Sequence, residues 1–375
     1  MPLPLERVAL VHDWLTGMRG GEKCLEVLCE IFPRADLFTL LHNRGSVSPR
    51  IEERRIVTSF VQHLPGAARG YRRYLPVFPR AAESFDLHGY DLVISSSHCV
   101  VKGVRPQAGA LHVCYCHTPM RYIWDQFDAY FGPGQASPLV RAAARLVRHP
   151  LQRWDVRSAA RVHHFIANSE TVRQRIQRHY ERCALVVHPP VDCRLFAPDP
   201  GSPGDYFLAV GALSGYKRVD LAIDAARRAR ARLLVVGQGP DLERLRKRAR
   251  GAAVEFLPWQ STHDLARLYA RCRALLFPGV EDFGITPLEV MASGRPVIAR
   301  AAGGALETVV AGETGIHVAS EAAEDWAQVL RGFRDDAFDA RRLRNHAERF
   351  DRARYVREMR QTLERLWQEW TEKCA

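Results

Sequence analysis

The feature that most constrains this chain is an alternation that runs through both of its halves: a short apolar run, a loop, then a stretch with helical periodicity. Such alternation predicts parallel strands joined by crossover helices, an α/β fold. In the first half the apolar runs fall at residues 8–12, 91–95, 111–116 and 164–167. A loop with Gly17, Gly20 and Gly21 follows the first of them, and a helix is expected over residues 22–31. In the second half the runs fall at 206–211, 232–237, 254–257, 274–278, 296–299 and 315–318. Between the halves, residues 189–205 (PPVDCRLFAPDPGSPGD) gather Pro, Gly and Asp without apolar periodicity, which predicts a domain boundary. At about 150 residues per domain, a chain of 375 residues holds two or three, and 47% hydrophobic residues can fill two cores.

Composition narrows the function classes. Residues 1–14 carry Glu6 and Arg7 before a short apolar stretch, the pattern of a first strand rather than of a leader peptide. No run reaches the roughly 18 apolar residues of a membrane span. Nine scattered cysteines match no zinc spacing or disulfide framework, so a reduced, cytoplasmic setting is expected. The net charge of +12 is concentrated. Residues 138–161 carry Arg141, Arg145, Arg148, Arg153, Arg157 and Arg161 against the single acid Asp155, interleaved with Leu139, Val140, Leu146, Leu151 and Trp154. A second cluster, Arg69, Arg72, Arg73 and Arg80, alternates with Tyr71, Tyr74, Leu75 and Phe78. Basic surface with aromatic anchors suits peripheral contact with an anionic membrane, although arginine faces are also often merely solvated. No nucleic-acid motif accompanies it, and no nucleic-acid partner is expected.

Residues 277–300, FPGVEDFGITPLEVMASGRPVIAR, carry the most chemistry. They read as a strand end, a loop, and a helix opening at residues 286–289 with Thr286 as cap and Pro287 at the first helical position. Ligands in open α/β sheets bind at the carboxyl ends of strands, and a helix N-terminus there suits a phosphate. Glu281 would face that crevice. Two plainer readings stand beside this one: Thr286 and Glu289 fit a capping box, and the Glu281–Asp282 pair fits a solvated loop tip.

An acidic residue, Phe-Gly, and a second Glu eight positions after the first, followed by MASGRPVIA, resemble the E-x7-E motif of family 4 retaining glycosyltransferases. The resemblance extends through VALVHDWLTGMRGGEKCLE (8–26), CYCHTPMRYIWD (114–125), FIANS (165–169), PPVD (189–192), YKRVD (216–220) and VGQGPDLERLR (236–246). Within the family the chain most resembles bacterial mannosyltransferases of surface-polysaccharide assembly. The resemblance implies the GT-B fold: two Rossmann-like domains facing across a cleft. They would be an acceptor-binding domain over 1–190 and a nucleotide-sugar-binding domain over 191–350, with a helix over 351–375 crossing back to the first. It implies Glu281 and His117 as catalytic residues. Lys217 would lie on the donor diphosphate with Arg218 as a secondary candidate, and Glu289 on the ribose, beside Gly284, Ile285 and Thr286. Gly20, Gly21 and Arg121 would serve the acceptor side, where His12 and Asp13 could also lie. The implied donor is GDP-mannose as substrate, with no metal and no cofactor. The implied acceptor is lipid-linked or a glycan, at the inner face of the cytoplasmic membrane.

One position departs from the pattern. Relatives commonly read Gly-Arg-Leu where this chain has Gly211-Ala212-Leu213, so a cation that joins the lysine on the diphosphate is missing. Losing one charge-assisted contact costs about 1.5–3 kcal/mol. Arg218 or Arg121 would compensate, or turnover is weak, or the chain binds donor without transferring it. A non-hydrolysing nucleotide-sugar epimerase, which shares the two-domain architecture, is the alternative enzyme.

Overall fold

The computed structural model describes residues 3, 6–132, 136–199, 201 and 203–374; within the 189–205 linker, Pro200 and Ser202 lie outside them. By internal contacts the chain divides into two compact units, Met1–Pro189 with Tyr355–Ala375, and Pro190–Arg354.

The first unit is built on a seven-stranded sheet of β1 (Val8–His12), β2 (Asp36–Thr39), β3 (Ile56–Thr58), β4 (Leu92–Ser97), β5 (Leu111–Cys116), β6 (His164–Ala167) and β7 (Ala184–Val186), ordered β3-β2-β1-β4-β5-β6-β7. Every ladder in it is parallel. The strands β1, β4 and β5 are buried along their whole length, which is why β1, β5 and the first half of β4 read as largely apolar runs. The helix Gly20–Ile31 covers one face with Cys24, Leu25, Val27 and Leu28, and the last helix, Arg352–Cys374, adds Tyr355, Met359, Leu363 and Leu366 to the same core.

The second unit holds β8 (Tyr206–Val210), β9 (Arg232–Val236), β10 (Val254–Leu257), β11 (Leu275–Phe277), β12 (Val297–Arg300) and β13 (Gly315–Val318), ordered β10-β9-β8-β11-β12-β13, again all parallel. Both sheets therefore reverse their strand order beside the first strand, between β1 and β4 and between β8 and β11. In doubly wound sheets the crevice at such a reversal is where ligands bind.

The helix after β11 differs from the sequence expectation. It spans Ile285–Ala292, and its cap is Gly284, at φ +95°, rather than Thr286. Pro287 still falls within the first turn, where its missing N–H leaves no helical bond unmade.

Candidate functional site

The reversal in the second sheet gathers residues from two distant stretches. After β8 the chain makes a tight turn, Gly215–Lys217, and after β11 it passes through Gly279 to Glu281. The two loops touch: a Cβ on Gly279 would sit 2.7 Å from the Tyr216 carbonyl oxygen and 2.9 Å from the Lys217 Cα, so only glycine permits the approach. That contact lets the Lys217 ammonium pair with the Glu281 carboxylate. Both groups line a pocket with Gly211, Ala212, Phe277 and Gly279. The Glu281 side chain is 12% exposed and Asp282 is buried, so the acidic pair is not a solvated loop tip.

Glu289 lies one turn into the helix and is buried. Its Oε2 accepts a hydrogen bond from the fully buried Tyr269 hydroxyl at 3.2 Å, across from the neighbouring helix Thr262–Arg271. The capping box is thus not formed, because the cap lies two residues earlier, at Gly284. Gly284, Ile285 and Thr286 supply the first backbone groups of that helix, at the same edge of the sheet. Arg218, in a left-handed conformation, turns its guanidinium to Asp220 at 3.4 Å and to Glu321 at 2.8 Å. Arg300, at the carboxyl end of β12, meets the same Glu321 at 3.2 Å; nothing in its local sequence marked it.

The reversal in the first sheet is lined by histidines. His12 ends β1 and lies opposite Ser96 of β4 in the ladder, while His117 follows β5 directly. Ser96 Oγ lies 3.1 Å from His12 Nδ1 and 2.8 Å from His117 Nε2. Gly20 and Gly21 open the helix Gly20–Ile31 above them, and a Cβ on Gly21 would already touch His12 Cε1 at 3.4 Å and His117 Nε2 at 3.5 Å. Burial, with His98, His12 and Arg121 around it, pushes the His117 imidazole well below the usual histidine range, so it is neutral. Asp13, by contrast, has a structural task. Its carboxylate accepts four backbone N–H groups from residues 98–101 at 2.7–3.1 Å and holds the loop after β4. Among the described residues no group of three His, Cys, Asp or Glu is arranged to hold a metal ion.

The arginine-rich stretch forms the helix Pro138–Ala159, and the structure divides its cations by task. Arg148 donates to the Ile123 carbonyl, and Arg161, just past the helix, together with Trp154 donates to Glu83. Asp155 is buried against Lys102 at 2.7 Å. The first turns of the helix are different: Leu139 and Leu146 are 83% and 79% exposed, with Val140 beside them. Among the described residues no helix is long and apolar enough to cross a membrane.

Residues 18–195 match the family described as Glycosyltransferase Family 4, and residues 198–350 match Glycosyl transferases group 1. Both matched segments carry glycosyltransferase descriptions, one after the other along the chain, and the fold they share is of the GT-B type. Two relatives, both D-inositol 3-phosphate glycosyltransferases, are similar over part of it. That of Mycolicibacterium paratuberculosis is 33% identical over 190 residues, 44% of this chain and 43% of the relative. That of Actinosynnema mirum is 36% identical over 176 residues, 39% and 42% of the two chains. The matches thus span less than half the length of these relatives. Among solved structures, the Anabaena HepE complex with UDP and glucose superposes with a TM-score of 0.70 at 18% identity, over 95% of this chain and 98% of that one. The sucrose-phosphate synthase of Thermosynechococcus elongatus superposes with 0.73 at 19%, over 96% and 99%. WaaG, a glycosyltransferase involved in lipopolysaccharide biosynthesis, superposes with 0.66 at 18%, over 94% and 98%. At these identities the likeness is one of fold.

Proposed function

We propose that the chain is a retaining, metal-independent hexosyltransferase that moves mannose from GDP-mannose to a lipid-linked or polysaccharide acceptor in cell-surface glycan synthesis. The observation that carries the reading is the Lys217–Glu281 pair at the strand reversal of the second sheet, in one pocket, beside the first turn that leads to Glu289. In this reading the ammonium of Lys217 and the backbone N–H groups at Gly284, Ile285 and Thr286 take the charge that builds on the departing diphosphate. An arriving diphosphate competes with Glu281 for the lysine and frees the carboxylate to orient the sugar hydroxyls. Glu289, held by Tyr269, receives the ribose hydroxyls. His117, Arg121, Gly20 and Gly21 are assigned to the acceptor side. Retention follows from substitution at the front face, in which the leaving phosphate oxygen helps take the acceptor's proton; such a site relies on positioning.

The second reading, a donor-binding protein without transfer, is favoured by one observation: Ala212 lines the pocket with a methyl group where a cation is expected, while Arg218 is held by two acids. The nucleotide is open to the same test, since the HepE structures hold UDP and UDP-glucose. Calorimetry with GDP, UDP, ADP and TDP, followed by nucleotide release from the sugar conjugates of any binder with membrane-lipid extract present, separates the cases. GDP binding with acceptor-dependent release from GDP-mannose supports the transferase. Binding without release supports the second reading, and a preference for UDP replaces the donor.

The exposed Leu139, Val140 and Leu146 amid arginines are assigned to peripheral contact with an anionic membrane at its cytoplasmic face. Flotation with phosphatidylglycerol vesicles should capture the protein, and phosphatidylcholine vesicles should not. Leu139→Asp with Leu146→Asp should abolish the capture, and equal capture by both vesicles would refute the assignment.

A further inference from the structure

The sheet register and the helix Gly20–Ile31 bring four buried side chains into line: Glu22, His12, Ser96 and His117. Glu22, 3% exposed, faces His12 Nε2 across 3.8 Å, too long for a hydrogen bond, so that this fully buried nitrogen has no hydrogen-bond partner among the described residues. His12 Nδ1 meets Ser96 Oγ at 3.1 Å, and Ser96 Oγ meets His117 Nε2 at 2.8 Å. His12 and Ser96 are fully buried; His117, at 9%, is the most exposed of the four.

A serine hydroxyl owns one proton and here bridges two imidazole nitrogens, so it donates to one and accepts from the other. Two arrangements satisfy the line. In the first, His12 carries its proton on Nε2 toward Glu22, Ser96 donates to His12 Nδ1, and His117 donates its Nε2 proton to Ser96, leaving His117 Nδ1 bare. In the second, every hydrogen bond is reversed: His12 is protonated on both nitrogens, Ser96 donates to His117 Nε2, and His117 carries its proton on Nδ1.

We propose that Glu22, His12 and Ser96 form with His117 a proton-storing relay, in which a proton taken at His117 Nδ1 is stored on the buried His12. The steps balance. As Nδ1 of His117 gains a proton, its Nε2 proton passes to Ser96 Oγ, the Ser96 hydroxyl proton passes to His12 Nδ1, and the resulting imidazolium is held by the Glu22 carboxylate. His117 is neutral before and after. The surroundings agree with this direction of charge. Burial pushes the Glu22 carboxyl up, but His12, His98 and a backbone N–H together outweigh that and hold it below the usual carboxylate range. Burial, with His98, His12 and Arg121, disfavours a cation on His117 itself. The other charged group nearby, Asp13, is spent on four backbone N–H groups and on His98 Nδ1 at 3.3 Å. Glu22 also anchors its own helix by accepting the Arg19 N–H at 3.0 Å, which fixes the carboxylate beside His12.

The part His117 takes in transfer rests on the function proposed above, whereas the relay is a property of the free protein and is tested there. Nitrogen NMR of protein carrying 15N-labelled histidine, assigned with His12→Asn and His117→Asn, reads each tautomer between about pH 5.5 and 8.5. The expected result is that His117 changes from Nε2-protonated to Nδ1-protonated as the pH falls, in step with the appearance of doubly protonated His12. A His117 that becomes doubly protonated in that range, or one whose tautomer stays fixed, overturns the relay. Ser96→Ala should break the coupling, so that the His117 tautomer no longer follows His12; a His117 that still follows refutes the role of Ser96. Glu22→Gln should move the change to lower pH, and an unmoved change refutes the role of Glu22. If Ser96→Ala does not fold, the wild-type titration decides. In transfer assays Ser96→Ala should lower kcat about tenfold with KM unchanged. Absence of transfer in the wild type defeats the proposed function while leaving the NMR result to judge the relay.

Discussion

The two sheets share a strand order, yet the first places hydrogen-bonded imidazoles at its reversal and the second places an ammonium against a carboxylate. In the first, His12 and Ser96 have no contact with solvent, and proton positions are set by neighbours. In the second, Lys217 is 20% exposed and Glu281 12%, so an incoming anion can reach the charge. The topology fixes where a site lies, and the loop residues decide whether it handles protons or charge.

The sharpest way to test the charged half is Glu281→Ala. Turnover should fall by at least about a hundredfold while nucleotide affinity stays within a few fold, since the carboxylate is assigned to the sugar and not to the nucleotide. Steady-state transfer together with GDP calorimetry checks this, and unchanged turnover would remove Glu281 from the site.

The imidazole half should announce itself in acid. His112 on β5 is fully buried, with Ser95 Oγ 2.9 Å from its Nε2, and burial pushes its pKa down to about 3. The unfolded chain takes up a proton near the ordinary value of about 6.5 while the native chain does not, so stability falls as the pH drops through that window. The slope is about 1.4 kcal/mol per pH unit for this one group. Urea unfolding of the wild type and of His112→Asn at pH 7 and pH 5 should show a smaller pH effect in the variant. A first unit whose stability is flat over this range would contradict the neutral, buried assignment.

Lys217→Ala returns to the charged half with a smaller effect. Removing the ammonium should weaken GDP binding about tenfold, or about 1.4 kcal/mol. If the affinity is untouched, the lysine serves the fold of the loop and not the diphosphate.

The comparison also explains what was legible in the sequence. Strands buried on both faces, such as β1, β5 and β8, read as apolar runs; β2, β3 and β7, at or next to the edges of the first sheet, are harder to read, because β2 and β3 each carry only two adjacent apolar residues and β7, within the apolar run 183–187, is a half-buried strand of three residues. Glu281 and Lys217 were singled out separately, through the resemblance, and no spacing indicates that they meet: their contact depends on β8 and β11 being neighbours and on Gly279 admitting the turn. Ser96 was invisible inside a polar strand end, since only the register sets it opposite His12. Thr286-Pro287 is a reasonable start for a helix, but Gly284 at positive φ lets the helix begin earlier. Arg148 and Arg161 share the basic pattern of the exposed helix start, but only the fold gives them their partners, the Ile123 carbonyl and Glu83.

The smallest expected effect concerns the residue behind Glu289. Tyr269 is fully buried, and its hydroxyl reaches Glu289 Oε2 at 3.2 Å. Tyr269→Phe keeps the ring that packs against Phe196 at 5.5 Å and removes only the donor. A net hydrogen bond to a charged acceptor contributes about 1.5 kcal/mol, part of which the remaining neighbours of Glu289 recover, so nucleoside affinity should fall by about three- to tenfold. Turnover at saturating donor should change less than twofold, because the reacting centre is untouched. The split between the two quantities carries the argument. A fall in turnover with affinity unchanged would move Glu289 from the ribose to the sugar, and the charged half of the comparison would then have two carboxylates at its reacting centre.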